Sequence, residues 1–189
     1  MKNIQTQITL WGIVALALLP AFINTGCAKG ISSEELKASI ELVDVETSWE
    51  KKYYQPWPPK LILVPSVSFK VKNIGEAPLK YVYFNGIFKS VGDKENLGDN
   101  FVAGIRGEAV MPGDLSNTIT LQSFQGVEGQ NLAHFKNNPA WKIVKVKIYV
   151  KSTGAEYVPI SEFDISKTIN FKEPEPVGME PKKKAEEKK

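Results

Sequence analysis

The chain is poor in the residues that carry most covalent and metal chemistry. Its 189 residues hold one cysteine, Cys27, and one histidine, His134. A lone cysteine excludes any disulfide within the chain, so a secreted domain of this size would have to rely on its core. A Ser-His-Asp arrangement needs a serine and an acid gathered about the histidine. The local sequence Leu132-Ala133-His134-Phe135 suggests neither, and His134 reads as a loop or packing residue. Zinc would be short of ligands with one histidine and one cysteine. No glycine-rich phosphate loop precedes a helix, no internal repeat is visible, and no long helical period follows the apolar N-terminus. A concentrated basic surface is missing too. The 24 Lys and Arg face 21 Asp and Glu, a net charge of +3. Lysines and glutamates interleave outside the tail, which argues against a dedicated nucleic-acid surface. No cofactor is expected.

The N-terminus has what the rest does not, an uncharged apolar run. Met1-Lys2-Asn3 is weakly basic, and residues 8–23 read ITLWGIVALALLPAFI. A spanning helix needs about 20 apolar residues. This run is shorter and contains Pro20, which is costly in a helix interior. A basic start, a short apolar centre and small residues after it form the layout of a secretory signal. Asn24-Thr25-Gly26-Cys27 follows and resembles the lipobox of bacterial lipoproteins, with Asn24 standing where that family usually has Leu. The resemblance implies a signal peptide over residues 1–26 and a lipid, palmitate among its acyl chains, on Cys27. Ordinary cleavage after Ala28 and an uncleaved anchor helix remain open. All three readings place the rest of the chain outside the cytoplasm. Each buried CH₂ contributes about 0.8 kcal/mol, so one acyl chain holds marginally and several on one cysteine hold almost permanently. Ala28 is not the aspartate linked with inner-membrane retention in some bacteria. That leans the expected address toward an outer membrane, facing periplasm or surface.

About 160 residues remain beyond the signal, enough for one domain with tails. Such a domain buries roughly two thirds of its unfolded surface, so a core without disulfides is plausible. Residues 28–36 are small and polar and read as a tether, making 27–37 the lipidated cysteine and linker. The folded part is expected over residues 38–171. Residues 172–189 are rich in Lys, Glu and Pro, cannot offset their ordering entropy, and are expected to be disordered.

Within the folded part the dominant period is two. Leu61, Leu63, Val67, Phe69 and Val71 share a parity, with Ser66, Ser68, Lys70 and Lys72 on the other. Val144, Val146, Ile148 and Val150 alternate with Lys145, Lys147, Tyr149 and Lys151. Ile119 and Leu121 alternate with threonines, and Phe163, Ile165, Ile169 and Phe171 share a parity. Residues 79–88 are apolar on both parities, as in a central strand covered on both faces. Phase changes at Leu42/Val43 and Ile143/Val144 suggest two bulges. Turns are expected at residues 73–78, at Met111-Pro112-Gly113-Asp114 as a type II turn, and at Ser152-Thr153-Gly154-Ala155. Residues 130–138 offer a turn of helix at most. About seven strands with short turns predict an all-β fold, an antiparallel β-sandwich, with a barrel as the rival.

Val71-Lys72-Asn73-Ile74-Gly75, then Pro78-Leu79-Lys80-Tyr81-Val82 and Phe88, with the later Met111-Pro112-Gly113-Asp114 turn, resemble bacterial immunoglobulin-like envelope domains of the FxLYD type. The eponymous motif is not present in clean form, since Phe88-Lys89-Ser90-Val91-Gly92 stands in its place. The resemblance implies an immunoglobulin-like fold and a binding or scaffold role, and it brings no catalytic residues.

Two segments invite a functional reading. Asp93, Glu95, Asp99 and Asn100 lie close together, but an EF-hand starting at Asp93 would meet Leu97 and Gly104 at ligand positions. A solvated hairpin loop is the better reading. Tyr53-Tyr54-Gln55-Pro56-Trp57-Pro58-Pro59 packs three aromatics into an extended, proline-held stretch. Tyr53, Tyr54 and Trp57 are either a partner contact or a crossing between sheets whose rings cap the core. Lys182 to Lys184 could touch anionic lipid or cell wall, though nearby glutamates nearly cancel them. The expectation is a non-catalytic, membrane-anchored envelope lipoprotein that binds an envelope protein or cell-wall partner. The alternatives are an accessory subunit of an envelope enzyme or transport complex, and a hydrolase of unfamiliar design.

Overall fold

The structure is a computed structural model, and it describes residues 31–136, 138–139 and 141–174. Cys27, the segment expected to be a signal peptide and the tail beyond residue 174 lie outside the described residues.

Alternating side chains build two four-stranded antiparallel sheets. The first holds β1 (Ile40–Gln55), β2 (Lys60–Asn73), β5 (Ile119–Gln122) and β6 (Val127–Gly129), in the order β1-β2-β5 with β6 also on β2. The second holds β3 (Val82–Ser90), β4 (Gly98–Ile105), β7 (Val144–Ser152) and β8 (Val158–Asp164), in the order β4-β3-β7-β8. The chain changes sheet between β2 and β3, between β4 and β5, and between β6 and β7, which is an immunoglobulin-like sandwich path. Apolar parities meet between the sheets. Leu61, Leu63, Val67, Phe69 and Val71 of β2 are fully buried, as are Phe84 and Phe88 of β3 and Val146, Ile148 and Val150 of β7. Phe69 and Phe84 meet edge to face across the core at 5.3 Å. Each such side chain contributes about 1.5–3 kcal/mol through burial.

The strand count is eight among the described residues, and β4 and β6 were not read from the sequence. Asp99 and Asn100 stand in β4, so the hairpin loop is shorter than expected. Strand β3 is central in its sheet, but it starts at Val82 and its outer side chains Tyr83, Asn85 and Ile87 are half-buried, not covered. They shelter one another on an open face, where Lys151 lies 5.9 Å from the Tyr83 ring.

The bulge expected near Leu42/Val43 is present as a register shift between Val43 and Glu46, with Asp44 at φ 51°. The second expected bulge is not. Trp141 and Ile143 precede the strand, and β7 begins at Val144, so the phase change marks a strand start. The turn expectations hold. Asp114 N–H donates to Met111 O at 3.0 Å across Gly113, whose φ of 87° favours glycine. Ala155 closes on Ser152 in the same way.

The stretch read as a tether is built into the domain from Ser32. Helix α1 (Ser33–Ala38) opens on a capping box, in which Ser32 Oγ accepts from Glu35 N–H and Glu35 Oε2 accepts from Ser32 N–H. Leu36 is its fully buried anchor. One large apolar residue in six is too weak a period to read from sequence. Helix α2 (Leu132–Lys136) is the single helical turn anticipated there. It carries His134 on an exposed position and buries Phe135.

Register places two ends. Ile40 pairs with Asn73 at one end, next to α1 and the turns after β2, β4 and β7. Gln55 pairs with Lys60 at the other, next to the β3–β4 loop and residues 123–143. At about 3.3 Å per residue, β1 alone spans about 50 Å between them.

Candidate functional site

The aromatic segment is the tip of the β1–β2 hairpin. Both flanking strands belong to one sheet, so it does not cross between sheets, and Trp57 does not cap the core. Ladder pairing runs without a break through Tyr53↔Ile62, Tyr54↔Leu61 and Gln55↔Lys60. Residues 56–59 make the turn, with the Trp57–Pro58 peptide cis. Prolines suit this place because a turn needs no ladder donors. The far half of the hairpin is backed from below. Strand β6 pairs with Leu61, Ile62 and Leu63. Trp141 meets Trp49 at 5.8 Å and Phe135 at 6.0 Å, both edge to face, forming an aromatic base under this end.

The three aromatics named from sequence do not act together. A register shift between Lys51 and Tyr53 sets the faces. Tyr53 points with Gln55 to the outer face and is 42% exposed. Tyr54 takes the opposite face and is half-buried against the Phe171 ring, 5.3 Å away. Trp57 stands free at the turn, 85% exposed. A polar chain links the tip to its stem. The Tyr53 hydroxyl donates to Gln55 Oε1, and Gln55 Nε2 donates to Trp57 O at 3.0 Å. Three lysines surround the stem. Lys51 lies 5.3 Å from the centre of the Phe171 ring, Lys52 donates to the Phe124 carbonyl, and Lys60 pairs with Glu128 at 2.9 Å. Phe171, Gln55 and these lysines were not singled out from sequence. A signal for two of the lysines was open to the sequence, the Lys51-Lys52 pair beside an aromatic run.

Other surfaces offer less. The outer face of the first sheet carries an open trough of about 690 Å³ whose floor is hydroxyls such as Ser48, Ser66, Ser68 and Thr120. The outer face of the second sheet has a depression of about 450 Å³ beside Ile87, Lys89, Lys147 and Tyr149. Lys145 at its rim bridges Glu162 and Asp164, each at 3.3 Å, and its pKa is raised by hydrogen bonding to Glu162 and then to Asp164. Tyr157 is also raised, by burial and then by Tyr83. In the β3–β4 loop, Asp93 pairs with Lys142 at 2.6 Å. Among the described residues no group of three His, Cys, Asp or Glu side chains converges as a metal site requires, and no helix is long and apolar enough to cross a membrane.

No protein-family model matches the chain. No curated protein matches it either. Among solved structures it is similar to a structural-genomics target determined by X-ray crystallography, at 16% identity and a TM-score of 0.40, covering 75% of this chain and 98% of the other. A Bordetella pertussis protein follows at 15% identity and 0.33, covering 68% and 93%. A protein from Archaeoglobus fulgidus stands at 15% and 0.32, covering 67% and 98%. Likenesses this distant carry no functional argument.

Proposed function

We propose that the protein is a membrane-anchored envelope lipoprotein, held through lipid on Cys27, whose sandwich is a non-catalytic binding or scaffold module. The observation that carries this reading is the separation of two ends within the domain. The chain enters at Ser32, beside α1, while the exposed Trp57 stands at the opposite end of β1. A module tethered at its first residues leaves this tip, at the opposite end of β1, free for a partner. The lipobox-like Asn24-Thr25-Gly26-Cys27 and the likeness to FxLYD-type envelope modules support the same reading. Function would come from tethering, because confinement near a surface raises the effective concentration of the domain toward partners in the envelope.

The test is the intact mass of protein extracted from membranes in detergent, beside a Cys27→Ala form. The expected result is a mature chain starting at Cys27 with added acyl mass, absent from the variant. A chain cleaved elsewhere and released without acyl mass would sink the anchor. Trp57→Ala is expected to weaken capture of the partner from the same membranes while the melting temperature stays within a degree or so, since exposed substitutions change stability by about 0.5 kcal/mol or less. A large fall in melting temperature would make the ring structural.

A further inference from the structure

The tip is built to leave water. Of its four turn residues, Pro56, Pro58 and Pro59 have no backbone N–H, so Trp57 supplies the one main-chain donor between Gln55 and Lys60. The Trp57 carbonyl already accepts from Gln55 Nε2, and the Gln55 oxygen already accepts from the Tyr53 hydroxyl. Moving an unpaired donor out of water is costly, and this turn has one N–H to move, while its proline carbonyls can stay hydrated in the headgroup zone. Its most exposed side chain is an indole, which favours the zone where a bilayer's headgroups meet its acyl chains. The exposed charge around the tip is basic. Lys51, Lys52 and Lys172 are exposed, while the Lys60 charge is matched by Glu128. Glu50 and Glu173 are half-buried, the first accepting from Ser48 and Asn170 and the second from Leu132 N–H. Lysines just behind an interfacial ring are attracted to anionic headgroups.

We propose that the β1–β2 tip inserts Trp57 into the interface of an anionic phospholipid surface, with Lys51, Lys52 and Lys172 holding the headgroups. This rests on the reading of the tip as the contact end and names its partner. The domain's first residues lie at the other end of β1, so tethering there leaves the tip free to meet a lipid surface.

The experiment uses the full chain carried in phosphatidylcholine vesicles, mixed with protein-free vesicles of either phosphatidylcholine alone or equal parts phosphatidylcholine and phosphatidylglycerol with brominated acyl chains. The expected result is docking to the anionic vesicles alone, with quenching of tryptophan emission by the bromines. Trp57→Ser should abolish the quenching and weaken docking more than tenfold, given the area of an indole. Lys51→Gln and Lys172→Gln should each weaken docking by about fivefold, and salt should weaken it in the parent chain. Equal docking to neutral vesicles, or docking and quenching that survive Trp57→Ser, overturns the proposal. So does a protein captured through Trp57 by a chain that docks to no vesicle. Intact mass on the same sample reports the Cys27 anchor, and a Cys27→Ala chain in solution mixed with the same protein-free vesicles tests docking without it, so the two ideas fail independently.

Discussion

At the scale of single residues, buried polar atoms have the tightest demands. Asn73 is fully buried at the end of β2, where its side chain does the work of a missing strand. Its Nδ2 donates to the carbonyls of Ala77 and Val110, both at 2.9 Å, and its Oδ1 accepts from Gly75 N–H at 3.0 Å. Asn73→Ala would leave the Ala77 carbonyl without its partner, while Val110 O keeps Leu79 N–H and Gly75 N–H keeps Ser39 O, and the expected cost is about 1–3 kcal/mol. A urea titration checks this, and an unchanged midpoint would refute it. Lys145 makes a prediction about pH. Its raised pKa means that the folded state holds the proton more firmly than the unfolded chain. Its contribution is therefore complete below the ordinary lysine value and disappears as pH rises through the folded value. NMR titration should find Lys145 deprotonating above the ordinary lysine value, and Glu162→Gln should lower its pKa toward that value.

At the scale of elements, the hairpin end depends on close backbone approach. A Cβ at Gly126 would stand 2.0 Å from the Leu63 carbonyl oxygen and 2.7 Å from Val64 Cγ1. Gly126→Ala should push β6 from β2, costing about 1–3 kcal/mol as overpacking does. Faster amide exchange at Leu61 and Leu63, with little change in β7, is the expected signature. The same constraint explains why β4 is hard to read. Its inward positions include Gly98, Asn100 and Gly104, and Phe101 points outward at 65% exposure. A Cβ at Gly104 would lie 2.6 Å from Phe84 and 2.7 Å from Ile119. Where the sheets come this close, small residues face inward and the apolar alternation inverts.

At the scale of the whole domain, the two sheets are tied by the segment after β8. Residues 165–171 leave the second sheet and lie along the free edge of β1 in the first. Trp49 N–H donates to Thr168 O at 2.7 Å, Asn170 N–H donates to Trp49 O at 2.9 Å, and Trp49 and Ile169 form a parallel bridge. Ser166 N–H donates to Thr47 Oγ1 at 2.9 Å. The segment covers an edge that would otherwise be open to strand addition. A chain ending at Asp164 should melt several degrees lower and self-associate, because both the edge and the Ile165 side of the core are laid open. Thermal denaturation and sedimentation test the two effects, and an unchanged, monomeric protein would contradict them.

Much of this architecture is legible in one dimension. Strands β2, β5 and β7 announce themselves because one face is buried and the side-chain period is two. The turns at Gly113 and Gly154 are legible because the backbone there takes a positive φ. These are local rules, and they were enough for the sandwich class and the bulge near Asp44. Other features are products of distance in the chain. Strand β6 exists because Leu63 offers a ladder partner, and α1 stays in place because Leu36 finds a buried site. The aromatic segment shows the division most clearly. Its rings and prolines are evident in the residues themselves, but their roles were settled by pairing. The register shift after Lys51 turned Tyr54 inward onto Phe171, left Tyr53 beside Gln55, and put Trp57 alone at the end of the domain farthest from Ser32. Local composition determines which backbone shapes are affordable, whereas which face meets water depends on partners that only folding brings within reach.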